Sequence, residues 1–475
     1  MTTGARRPRP AVSRFGKERG IPEPDIPARP PSDFETTGRR ASIVGLGAFG
    51  ADPARALFFR VMCLGVAVLG WVYVAIMGAV LLHRSPPAAG FDLQLLLDAA
   101  RRVAGGGSPY DPNAVAHGLT ATDLFYSYPP VVAQALVPIS GLPTWLILTF
   151  WCIGAGVGVA AMSALLARAP IGRPAKMLPA LPLDAALLTL AAAPLFFPLT
   201  SSLWFGNVDA WFPLLVGLVV LTLPAEGLGP SRMTSLAGGA ALALAAAIKL
   251  HPGSLVVWLA LRRRSRSPRW PYAAVLAGVI ATGAAILLVS LLLGGAGPWH
   301  DYIDYLRVSS AADLADRLNI GPASQLALLV DNHGLAHGLA VVFAVVAIAG
   351  TVVASRLVRD TLESFGWAVV ASLILLPVTW YHYPVALIPV AVAAWTRSRG
   401  MPQARRVSIA LFIAWILADA AIALPVTTWI AVALVLVAVR TSRPSSSPTL
   451  GQVAPTVEAG LASGGAIDRV EVISK

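Results

Sequence analysis

AAAIKLHPGSLVVWLALRRR, residues Ala245 to Arg264, governs how the chain is threaded. An apolar run is interrupted by Lys249, His251 and Pro252, resumes, and ends on three arginines. Proline removes a backbone donor and disfavours helix in the residue before it, so the run is not one straight helix. Short loops rich in Lys and Arg stay on the cytoplasmic side of a membrane. A single continuous span here would carry the arginine-rich segment Leu261 to Trp270 outside. It would also invert everything downstream, where Ser355 to Asp360, Thr396 to Arg406 and the tail from Arg440 are again basic. Two half-helices that meet inside the membrane and return to the same side reconcile all of these loops. Broken helices of this kind usually line a cavity.

Composition agrees. The 475 residues are 56% hydrophobic and 13% charged, with a mean hydropathy of +0.70, far from the roughly one-quarter charged of a soluble domain. Apolar segments run over Leu57–Leu82, Leu142–Ala167, Leu183–Leu199, Val208–Leu223, the broken Leu236–Leu261, Tyr272–Leu293, Leu339–Leu357, Phe365–Thr379, Tyr383–Trp395, Val407–Leu424 and Thr427–Val439. The expected fold is therefore an all-α polytopic transmembrane bundle of about 12 helical segments, counting the broken pair as two, with an extracytoplasmic loop helix. Residues 1–56 and 441–475 read as disordered cytoplasmic tails around a membrane domain spanning 57–440. The net charge of +12 sits mostly in the tail and short loops, so it reports orientation and not nucleic-acid binding. Both termini are expected in the cytoplasm of a plasma-membrane protein. Cys63 and Cys152 lie in apolar runs, and neither a disulfide framework nor a metal-ligand spacing is visible.

Polar groups inside such a chain are the functional candidates, because a charge at bilayer depth costs about 2.5–3.5 kcal/mol on insertion scales. Of the four lysines (Lys17, Lys176, Lys249 and Lys475), Lys249 alone lies in an apolar span. It is either an anion-binding cation or a structural lysine paired with carbonyls. His251 either shares that site or satisfies carbonyls freed by the break. In FDLQLLLDAARRVAGGGSPY (Phe91 to Tyr110), helical winding puts Gln94, Asp98, Arg101 and Arg102 in an arc about 100° wide. Asp92 falls on the opposite side with Leu96, Ala99 and Val103. It is either the N-cap of this helix or a functional carboxylate. Asp98 has an ordinary explanation in its i,i+3 and i,i+4 arginines. Tyr128, in FYSYPP, reads as an interfacial anchor or a sugar contact. Asn207 and Asp209 read as a cap and a first-turn acid, or as cavity groups. Tyr381 and His382, in TWYHYP, lie at an outer turn, where His382 either donates to a phosphate or sits at the interface. The outer WHDYIDYLR segment, Trp299 to Arg307, reads as an interfacial amphipathic helix.

Taken together, FDL…AARRVAGGGSPYDP, FYSYPP, GNVDAWFPLLVGLVVL, AAAIKLHPGSLVVWLALRRR and LLPVTWYHYP resemble the GT-C glycosyltransferases of family 87, over roughly Phe58 to Trp395. The resemblance implies inverting transfer of one sugar from a polyprenyl-monophosphate donor to a lipid-linked glycan acceptor on the outer face, without a cofactor or metal. Mannose is the sugar implied by phosphatidylinositol mannoside and lipomannan enzymes of that family, with arabinofuranose the alternative. It also implies that Asp92 is the catalytic base. Lys249, His251 and His382 would then hold the donor phosphate, and Tyr128, Asn207, Asp209 and Tyr381 the substrates. Family members often carry a histidine pair where this chain has the single His382 between Tyr381 and Tyr383, and many carry Gln at Asn207. A secondary transporter would also show midplane charges and broken helices, but with matching interruptions in two halves. The KLHP break stands alone here.

Overall fold

The computed structural model describes residues 53–84, 88–111, 126–169, 181–224, 230–262, 272–309 and 314–443. The expected disordered tails lie outside these residues except at their inner edges, where helix begins at Pro53 and ends at Thr441. The Arg168 to Lys176 linker beyond Ala169, most of the Leu261 to Trp270 loop and Phe125 also lie outside them.

The described residues form helices and turns only. In chain order the helices are α1 (Pro53–Leu82), α2 (Phe91–Ala104), α3 (Pro130–Leu136), α4 (Thr144–Arg168), α5 (Leu181–Ala192), α6 (Phe197–Phe205), α7 (Phe212–Val220), α8 (Arg232–Ile248), α9 (Ser254–Arg262), α10 (Tyr272–Gly294), α11 (Gly297–Ser309), α12 (Pro322–Leu329), α13 (Leu335–Leu357), α14 (Thr361–Ile374), α15 (Ile388–Ser398), α16 (Ala404–Asp419) and α17 (Val426–Thr441). Four of them, α1, α4, α10 and α13, are long and apolar enough to cross a bilayer. The α5–α6 pair, bent by 70°, makes a fifth. This is an all-helical membrane bundle.

The run from Leu183, expected to end at Leu199 as one span, instead turns sharply at Phe196 and continues to Phe205. Pro194 and Pro198 flank the turn: Pro194 lacks the donor needed to continue α5, and Pro198 sits in the first turn of α6, where its missing N–H costs nothing. The Asp419 carboxylate on α16 accepts a 2.7 Å hydrogen bond from the freed Phe197 amide. The segment from Gly294 to His337, expected as an outer loop, carries two helices, α11 and α12.

The break in the Leu236–Leu261 segment falls at Lys249 and Leu250, between α8 and a single 3-10 turn, His251–Gly253, that leads into α9. α7 and α8 run antiparallel. Gly238 packs on Thr222 at one end of the pair, and Lys249 meets Asp209 at the other. α9 then leads away from Lys249 to Arg262, whose guanidinium donates to the carbonyls of Ser355, Val358 and Arg359 where α13 passes into α14. The two halves thus share one end and turn back there, as the arginine pattern requires. Trp258 locks the returning half. It is buried, donates to Ser364 Oγ at 2.9 Å, and stands edge-on to Phe365 at 5.2 Å. α8 is pressed against α10 so closely that a Cβ on Gly239 would stand 2.0 Å from the Val275 carbonyl. Such backbone contact at small residues replaces the hydrophobic drive that lipid cannot supply.

The bundle thereby has two polar ends. One gathers Asp209, Lys249 and His382. The other gathers Arg262, Asp360, Arg397, Glu363 and Arg443.

Candidate active site

α2 is placed by two glycines in the left-handed region, which is open to glycine without a Cβ clash. Gly90 (φ 71°) precedes the helix and donates to the Trp204 carbonyl at 2.7 Å. Gly206 (φ 66°) closes α6, and a Cβ there would stand 2.6 Å from Leu93 Cβ. The first turn of α2 therefore docks directly on the end of α6. Leu93, Leu96, Leu97 and Ala99 are fully buried on its inner face. On the outer face Asp98 pairs with Arg101 at 2.6 Å, both nearly half exposed. Arg101 reaches on to the Ser140 carbonyl and Gln94 to Thr144 Oγ1, so the polar stripe also tethers the helix.

Asp92 does not cap α2. Gly90 holds that position without a side-chain bond, and Asp92 Oδ2 instead accepts a 2.7 Å hydrogen bond from Asn207 Nδ2. Asn207 joins the two readings given to it. Its Oδ1 accepts the Asp209 amide at 2.9 Å, a true cap, while its amide nitrogen serves Asp92. Trp151 Nε1 holds the Asn207 carbonyl at 3.2 Å from behind.

Asp209 is 1% exposed. Its Oδ2 accepts from Lys249 Nζ at 2.7 Å and lies 3.1 Å from His382 Nε2. Its Oδ1 has no hydrogen-bond partner among the described residues, nor has His382 Nδ1. Lys249 is held over the Tyr383 ring at 4.0 Å and stands 5.8 Å from the ring centre of Tyr128. His251 is buried behind this group, stacked on Tyr383 at 5.9 Å, with both ring nitrogens unbonded among the described residues. Tyr381 stands edge-on to His382 and stacks on Phe197 at 5.5 Å.

Asp92, Asn207, Asp209, Lys249 and His382 are thus one connected cluster, with Tyr128, His251 and Tyr381 in its walls. Tyr128 faces inward and not toward lipid. The neighbouring tyrosines are structural. Tyr126 receives the Ala133 amide at the start of α3. Tyr110 donates to the Tyr128 carbonyl and stacks on Tyr302 and Tyr305. Tyr302 and Tyr305 of α11 are accordingly buried in protein, while Ile303 and Leu306 on its other face are exposed, the two-faced pattern expected of this helix. Sequence reasoning passed over Tyr383 and Trp151. Tyr383 stood in the TWYHYP segment beside His382, but Trp151 lay in an unremarkable apolar run.

Burial pushes the Asp92 carboxyl above the ordinary carboxylate range, and His382, the Asn207 hydrogen bond and Lys249 pull it part of the way back. Burial also pushes the Tyr381 phenol up to about 12. The arrangement sets an acid suited to accepting a proton beside a desolvated cation.

A family model described as glycosyltransferase family 87 matches residues 126–379, more than half of the chain. The chain belongs to glycosyltransferase family 87. This family 87 glycosyltransferase matches no curated protein. The matched region takes in Tyr128, Asn207, Asp209, Lys249 and His251. Asp92, Tyr381 and His382 lie beyond its ends, and the geometry above joins them to it.

Proposed function

We propose that this glycosyltransferase moves a sugar, mannose in our reading, from a polyprenyl-monophosphate donor to a lipid-linked glycan acceptor at the extracytoplasmic face of the membrane. The observation that carries the proposal is the Asn207 bridge, which joins the Asp92 carboxylate to the Asp209–Lys249–His382 cluster in one buried site. An inverting transfer needs a base at the acceptor hydroxyl and a positive group at the departing phosphate. Asp92 takes the hydroxyl proton as the acceptor oxygen attacks the anomeric carbon. The bond from that carbon to the phosphate oxygen breaks, and polyprenyl phosphate leaves with the electron pair. Lys249 and His382 meet the negative charge that develops there, with His251, Tyr128 and Tyr381 shaping the walls. The sidedness follows from the positive-inside rule, since the far end of the bundle is the arginine-rich one.

The test supplies purified enzyme with mannosyl or arabinosyl polyprenyl phosphate and a lipid-glycan acceptor. Asp92→Asn is expected to lower turnover about 10²–10⁴-fold, the usual contribution of a general base, with unchanged thermal stability. Undiminished turnover in Asp92→Asn removes the base assignment. Lipid movement across vesicles without sugar transfer from either donor removes the reaction itself.

A further inference from the structure

A deep apolar cleft runs through the bundle between α5 and α16, with α15 as its floor, enclosing about 480 Å³. It starts beside Phe196, Leu199 and Pro384, near the active-site end, and ends at Trp395 and Ser408. A second cavity of about 370 Å³ shares Ser408 and Phe412 with it and adds Arg399 and Arg405. The apolar cleft and this basic cavity thus meet at Ser408 and Phe412, and the basic mouth lies at the arginine-rich end of the bundle.

Neither of the two arginines at this mouth is held by a carboxylate of its own. The Arg399 guanidinium lies flat over the Trp395 ring, 4.4 Å from its centre. Neither it nor Arg405 forms a side-chain hydrogen bond or ion pair among the described residues. The acid whose field reaches Arg399 is Asp184, and its carboxylate is already taken by Arg60 Nε at 2.8 Å. The contrast with Arg397, two residues earlier and bonded through every guanidinium nitrogen, shows that this end of the bundle pairs its structural arginines. Two uncompensated arginines beside an apolar channel complement a molecule with an anionic head and a long apolar tail. Basic pockets between membrane helices suit such headgroups.

We propose that this cleft is a binding site for an anionic phospholipid. The headgroup phosphate sits between Arg399 and Arg405, and one acyl chain lies along the cleft toward Pro384. The site is separate from the catalytic cluster and stands whether or not the donor assignment does. Bound lipid would brace α5 against α16, close to where α6 meets α16 at the Phe197–Asp419 hydrogen bond.

Native mass spectrometry of the full chain in detergent, titrated with phosphatidylglycerol, phosphatidylcholine or undecaprenyl phosphate, tests this. One phosphatidylglycerol is expected to bind in preference to phosphatidylcholine. Arg399→Ala with Arg405→Ala should weaken it about 30-fold, the fold-change of two contacts worth about 1 kcal/mol each, and Asp92→Asn should leave it unchanged. Ala391→Phe, which fills the cleft without touching a charge, should weaken it too and covers the case in which the double variant fails to fold. Equal retention of phosphatidylcholine would mark ordinary boundary lipid and overturn the proposal. So would indifference to both kinds of variant, or displacement by undecaprenyl phosphate that depends on Lys249, which would give the cleft to the donor's tail.

Discussion

The two polar ends of this bundle handle buried charge in opposite ways. At the arginine-rich end Arg397, 2% exposed, spends its guanidinium on the Ser442 carbonyl and hydroxyl, the Val439 carbonyl and Asp360. Arg262 spreads two nitrogens over three backbone carbonyls and leaves only its Nε without a partner among the described residues. At the other end Asp209 leaves one oxygen, His382 one nitrogen and His251 both nitrogens without partners among the described residues. Unmet hydrogen-bonding capacity in a buried site is costly, so it persists where a ligand completes it. Paired charge ties α14, α15 and α17 together; the unmet groups gathered around Asp209 are where our proposed reaction would seat its substrate.

The largest effect that sharpens this contrast comes from Arg397→Ala. It strands Asp360 and several carbonyls and should cost about 3–5 kcal/mol of stability, read as a fall in the thermal unfolding midpoint, with donor affinity of the folded fraction unchanged. At the site end Lys249→Met alone should cost a similar amount by leaving the buried Asp209 carboxylate with His382 alone beside it. Lys249→Met combined with Asp209→Leu should restore most of the midpoint, since apolar replacement of a buried pair is often neutral. Activity should stay lost. A double variant that regains transfer along with stability would make the pair structural, like Arg397.

A smaller effect is expected at Gly206. Alanine in this left-handed position costs about 1–2 kcal/mol, and its Cβ would meet Leu93 at 2.6 Å. α2 must then shift, carrying Asp92 off Asn207. We expect kcat/KM to fall by at least about tenfold, beyond what the loss of stability alone explains. Gly141→Ala, with open space around its Cβ, serves as the control. Normal kinetics in Gly206→Ala would show that the Asp92–Asn207 bond does not depend on this contact.

The helical membrane fold was legible because hydropathy and arginine placement act over whole segments, and the turn at Lys249 followed from one proline and one loop. The 70° bend at Phe196 was not, because Pro194 and Pro198 read equally well as mild kinks until Asp419, more than two hundred residues on, supplies the partner that holds the bend. The site was half legible. Lys249 stood out as the lone lysine in an apolar span. Spacing alone left Asp92 balanced between cap and function, and only the family resemblance favoured function, since its partner Asn207 is distant in sequence and capping and bridging use opposite ends of the same amide. Tyr383 and Trp151 act through ring faces and a backbone carbonyl, contacts for which residue type alone gives no signal.

The smallest expected effect concerns pH. Burial holds Asp92 above the ordinary carboxylate range, and a base works only when unprotonated, so kcat/KM should fall as pH drops through that raised value. The Asn207 bond favours the charged acid. Asn207→Ala should therefore push the acidic limb of the profile to still higher pH, while turnover on the plateau changes less. Stability runs the other way. A raised folded-state value means folding prefers the protonated acid, so Asp92 stabilises the fold only below its unfolded value, and that contribution fades as pH rises through the folded one. A cap or a surface acid would move neither curve in this sense. An acidic limb that stays fixed in Asn207→Ala would therefore detach Asp92 from the pH dependence and return it to the satisfied, structural kind of charge found at the other end of the bundle.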